Sequence, residues 1–178
     1  LLLFMVPSIF GISLVAHQLL TLFSTKEIAD KAFFLVPFIA LSILFYGVIY
    51  FFSQILVLVK KTKTIAFVWL ASAFLNIALN IIFIPTLGIL GAAISTLAAY
   101  TSALVLMYHF AFKEFQFKIE WGFILKVLLA SMVMSVFIAW LNVHGFWGLM
   151  LKILLGVATY LVLIVLFKAI DKKEIKFL

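Results

Sequence analysis

Ser72, Asn76 and Asn80 stand four residues apart in a stretch that is otherwise almost wholly apolar. On a helix that spacing puts three hydrogen-bonding side chains on one face. Their chemistry is that of neutral donors and acceptors, suited to bonding a neighbouring helix or to lining a hydrated cavity. Ser53 with Gln54, and His17 with Gln18, offer the same two roles. Stronger chemistry is placed elsewhere. All six acids, Glu27, Asp30, Glu114, Glu120, Asp171 and Glu174, fall outside the apolar runs. His17, His109 and His144 are scattered near run ends, and no two of them have the helical spacing of a metal site. There is no cysteine, which excludes disulfides, thiol chemistry and cysteine metal sites. No glycine-rich phosphate loop or Ser-His-Asp grouping can be assembled. These residues argue against an enzyme and call for no cofactor.

The elements that hold such side chains must be membrane helices. Of 178 residues, 68% are hydrophobic and only 11% charged, with a mean hydropathy of +1.38. A chain of this size has no core large enough to hide that many apolar side chains from water. A soluble domain is therefore excluded. The net charge of +7 does not point to nucleic acid, because the lysines sit between long apolar runs instead of covering one soluble face. Lipid is the expected partner.

Six windows are long enough to cross a bilayer as helices: about 1–23, 32–58, 64–84, 88–111, 122–141 and 147–169. The runs are continuous and do not alternate in polarity, which favours helices over barrel strands. The predicted fold is all-α, a polytopic bundle of six transmembrane helices. Nine lysines (Lys60, Lys61, Lys63, Lys113, Lys118, Lys168, Lys172, Lys173 and Lys176) fall on one side of it. The other side carries only Lys26 and Lys31. The positive-inside rule assigns the first side, and both chain ends, to the cytoplasm of a plasma-membrane protein. Trp121, Trp140 and Trp147 mark span ends, as interfacial anchors do. Lys126 and Lys152 lie inside spans, where a lysine snorkels to the headgroups. A phosphate-binding role for Lys152 is the alternative. The opening Leu1-Leu2-Leu3-Phe4-Met5 is already within an apolar run, which reads as the C-terminal part of a longer protein.

The fourth run begins Gly88-Ile89-Leu90-Gly91-Ala92-Ala93-Ile94-Ser95-Thr96. Small residues at three- and four-residue spacing let two backbones approach closely. The expected contact is with the third span, across the turn from Pro85 to Gly88. Gly91 and Ala92 are the expected points of closest approach.

One stretch is more specific than its parts. Asn76-Ile77-Ala78-Leu79-Asn80, then Ile81-Ile82-Phe83-Ile84-Pro85, then Gly88 to Thr96 resembles a signature of polysaccharide flippases. These are the Wzx-like branch of the multidrug/oligosaccharidyl-lipid/polysaccharide (MOP) exporter superfamily. The resemblance covers about residues 1–112 and beyond that is one of hydropathy alone. It implies a two-lobe MATE-like transporter in which this chain supplies helices nine to fourteen. Residues 1–112 are then the latter four helices of the C-terminal lobe, 113–169 an additional helix pair and 170–178 a basic cytoplasmic tail. It further implies a polyprenyl-linked saccharide as substrate and an N-terminal lobe of the same protein as partner. The family often places arginines in its central cavity. This chain has none, so no substrate-binding residue is carried over. Ser72, Asn76, Asn80 and Gln54 are candidate cavity or packing positions, and Pro85, Gly88, Gly91 and Ala92 are motif positions. A multidrug or cation antiporter of the same superfamily, or a non-transporting scaffold, are the alternatives.

Overall fold

The structure is a computed structural model that describes residues 1–116, 120–141, 143 and 145–167. Lys118, His144, Lys168 and the 170–178 tail, all named above, lie outside the described residues. Every regular element described is helical: α1 (Leu2–Phe23), α2 (Lys26–Ala32), a 3₁₀ turn (Phe33–Leu35), α3 (Val36–Leu58), α4 (Thr62–Leu87), α5 (Ile89–Glu114), α6 (Trp121–Trp140) and α7 (Gly145–Leu166). Among the described residues six spans are long and apolar enough to cross a membrane, with α2, the 3₁₀ turn and α3 counted as one. The protein is thus a polytopic helical membrane protein. Trp121, Trp140 and Trp147 stand exposed at the ends of α6 and α7.

Two boundaries differ from the sequence reading. The expected loop from Ser24 to Lys31 is mostly helix. The Thr25 hydroxyl accepts from the Ile28 N–H at 3.4 Å, and Glu27 and Lys31 pair one turn apart. An N-cap, an acid in the first turn and a base in the last make even seven residues helical. At the other end of the motif, Pro85 does not stop its helix. α4 runs on to Leu87 and ends at Gly88, whose φ of +59° suits glycine. A proline in the last turn removes one ladder bond without blocking the residues behind it.

The chain divides into two compact units. One comprises Leu1–Pro37 and the described part of Ile119–Leu178. Here α6 is the central helix, burying Val127, Ala130, Ser131, Met134 and Ile138. Gly156 brings α7 close to it: a Cβ there would lie 2.6 Å from Ile138 Cδ1. Gln18 of α1 donates to the Val143 carbonyl between α6 and α7 at 2.9 Å. His17 pairs with Asp30 of α2 at 2.6 Å, so this histidine is satisfied by a carboxylate neighbour.

The other unit, Phe38–Lys118, holds most of α3 with α4 and α5. Its core joins Ile49, Phe52 and Leu56 of α3 to Val68 of α4 and to Ala103, Met107 and Ala111 of α5. Tyr46, Trp69 and Tyr100, one from each helix, pack with ring centroids 5.8 to 6.2 Å apart. Ala93 apart, the buried residues of α5 are Gly91, Ser95, Ala99, Ala103, Met107 and Ala111, one every four residues. That ridge is built mainly of small side chains, which lets van der Waals contact drive association where lipid supplies no hydrophobic force.

Candidate functional site: a polar stripe and an apolar groove

The polar stripe predicted on α4 divides by depth of burial. Ser72 is buried and its hydroxyl donates to the Ala99 carbonyl of α5 at 2.8 Å. Asn76 and Asn80 are half-buried and bond each other, Asn80 Nδ2 donating to Asn76 Oδ1 at 3.0 Å. Asn80 Oδ1 is buried without a partner. Gln54 is exposed on α3 and shares a face with the exposed Tyr46 and Tyr50. Among the described residues no hydrogen bond joins Gln54 to the asparagines. The stripe therefore contains one helix-to-helix bond, at Ser72, and an amide pair with an open acceptor one to two turns further along.

At Gly91 the backbone of α5 lies close against that of α4. A Cβ there would stand 2.4 Å from the Phe83 carbonyl oxygen and 2.9 Å from the Ile84 nitrogen. Only glycine fits against another backbone at that distance. Ala92 beside it is half-buried, and the buried face passes instead through Ala93, Ser95 and Ala99. Pro85 and Gly88 sit at the hinge of this hairpin, in and just beyond the last turn of α4.

A second feature lies wholly within the other unit. α1 and α7 line a groove of about 350 Å³ floored by Met134 and Ile138 of α6. That volume is within the range of small-molecule sites. On α1 the lining recurs at Phe4, Ser8, Gly11 and Val15, and on α7 at Lys152, Gly156 and Tyr160. Small residues make the space: a Cβ added at Gly11 would meet nothing within 4 Å. Lys152, weighed from sequence as a snorkelling lysine or a phosphate ligand, is the charged side chain of this lining.

Pro7 and Tyr160 belong together here. A proline has no N–H, so the carbonyl four residues earlier, that of Leu3, loses its intrahelical donor. Tyr160 Oη supplies one, donating to the Leu3 carbonyl at 2.7 Å. The groove thus has a proline-notched wall latched to the opposite helix by a phenol. Pro7 was visible in the sequence as a kink point. Its partner, 153 residues further along the chain, was not.

Residues 1–82 match the family MatE, and the helical order over nearly the whole chain is that of a solved flippase structure. The solved structure "Lipid II flippase MurJ, inward closed conformation" superposes with a TM-score of 0.81 at 25% identity, over 93% of this chain. The chain spans 36% of the length of that structure. No curated protein matches the sequence.

Proposed function

We propose that the chain forms part of a membrane flippase that translocates a lipid-linked oligosaccharide for cell-surface polysaccharide biosynthesis. The observation that carries this reading is the groove between α1 and α7. Its lining is apolar along most of its length and holds one lysine, Lys152. A long isoprenoid chain joined to a phosphate calls for that combination, since hydrocarbon fits an apolar trough and a cation meets the phosphate oxygens. The flippase fold of the matched structure supports a transporter in place of an enzyme. In this reading residues 1–112 are the latter helices of one lobe, α6 and α7 are the added pair, and an N-terminal lobe completes the transport path. The lysine distribution orients the α3–α4 loop and both chain ends toward the cytoplasm, which a reporter fused after Lys63 would read as cytoplasmic.

The test is export of lipid-linked saccharide by cells carrying Lys152→Gln or Lys152→Arg in the full-length protein. Export should fall at least about tenfold in Lys152→Gln, a charge-assisted contact of roughly 1.5–3 kcal/mol. Lys152→Arg should retain most of it. Wild-type export by Lys152→Gln at equal protein abundance would remove the groove from the substrate path.

A further inference from the structure

We infer that the end of the α3–α4–α5 unit bearing Lys60, Lys63 and Lys113 is a binding collar for anionic phospholipid headgroups. The clue is a backbone conformation. Lys60 has φ +59° and is the one non-glycine residue with positive φ among the described residues. It follows the last turn of α3, where its N–H bonds the Val57 carbonyl at 2.9 Å and the Lys61 N–H bonds the Leu56 carbonyl at 2.8 Å. That pair of bonds is the glycine-favouring helix terminator, and a side chain there is disfavoured. A strained residue points to a use for its side chain beyond the turn.

The neighbours show what the use is. Lys61 Nζ donates to Glu114 Oε1 at 2.7 Å, which fixes the α3–α4 loop to the end of α5 and occupies the nearby carboxylate. Lys60, Lys63 and Lys113 remain exposed, and none is paired with a carboxylate among the described residues. Leu58 and Val59, directly before Lys60, and Phe115, two residues after Lys113, are exposed as well. Lysines immediately above exposed apolar side chains match the boundary between headgroups and acyl chains. A soluble anion or an acidic protein would have no use for the apolar part. Charge and depth together select the phosphate of an anionic lipid.

The experiment measures retention of phosphatidylglycerol against phosphatidylcholine by native mass spectrometry on the purified full chain. The variants are Lys60→Gly, Lys63→Gln and Lys113→Gln, with Lys31→Gln in α2 of the other unit as control. Each collar substitution should weaken phosphatidylglycerol preference by about fivefold, and the control should leave it unchanged. Lys60→Gly also suits the turn, so its melting temperature in phosphatidylcholine should equal or exceed that of the wild type. A loss of lipid preference in that variant is then not a folding defect. Unchanged preference in all three variants would overturn the collar, and so would an equal loss for both lipids. Displacement of the lipid by inorganic phosphate would assign the lysines to a free anion instead.

Discussion

Ser72 and Tyr160 each send a hydroxyl across to another helix, and they differ in what they find on the other side. In the α4–α5 hairpin, Ser72 donates to the Ala99 carbonyl, which lies in the regular α5 ladder and also accepts from Ser102 at 2.8 Å. In the groove, Tyr160 donates to the Leu3 carbonyl, whose ladder donor is absent because residue 7 is proline. The first bond is added to a carbonyl already served. The second replaces a bond that the sequence itself removed. The hairpin is held by close backbone packing, with hydrogen bonding as a supplement. The groove wall is held open by small residues and depends on a specific latch.

The largest test of that contrast uses two glycines. Gly91→Leu puts a side chain where a Cβ alone would lie 2.4 Å from the Phe83 oxygen. The helices must part, and thermal stability in detergent should fall by about 3 kcal/mol, the upper end for overpacking. Gly11→Ala places its methyl in open groove and should gain about 0.5–1 kcal/mol of helix propensity. If Gly91→Leu melts like the wild type, the hairpin is not packed through α5's small face.

The hairpin was largely legible in the sequence, because small residues at i and i+4 carry their own geometric meaning. Even so, Ala92 was grouped with Gly91, whereas the buried ridge continues through Ser95 and Ala99. A run of adjacent small residues does not reveal which of them faces the partner. The six spans were legible for the simpler reason that hydropathy fixes them. The groove was not. Its walls come from residues more than a hundred positions apart, and Tyr160 looks like any aromatic until Leu3's orphaned carbonyl is placed beside it. Gln54 and the asparagines were grouped by polarity, a property that says nothing of which helices meet.

The next effect is at the latch. Tyr160→Phe keeps the ring and leaves the Leu3 carbonyl without its donor, which should cost about 1–2 kcal/mol. Pro7→Ala restores the ladder N–H and should make the same Tyr160→Phe substitution nearly neutral. A double-mutant cycle between the two positions measures this directly. Independent, additive effects would refute the latch.

In the hairpin, Ser72→Ala should cost only about 0.6 kcal/mol, the average for polar contacts between membrane helices. A loss as large as that of Tyr160→Phe would erase the distinction between an added bond and a replacing one.

The smallest expected change in stability is at Asn80, and it separates two roles for the polar stripe. Its amide nitrogen bonds Asn76 within the same helix, and its oxygen is buried and unpartnered. Asn80→Leu therefore removes no bond to another helix and abolishes an orphaned acceptor. Stability should stay within about 0.5 kcal/mol of the wild type or rise. The cavity role of the stripe predicts that Asn76 and Asn80 meet water during transport, and the packing role predicts that they do not. This chain has no cysteine, so within it Asn76→Cys and Asn80→Cys each introduce a single thiol. In the full-length protein a water-soluble thiol reagent should label both, while Ser72→Cys, at the buried helix contact, should be protected. Protection at all three positions throughout transport would make the whole stripe helix-packing polarity, and the hairpin would then have no wetted face.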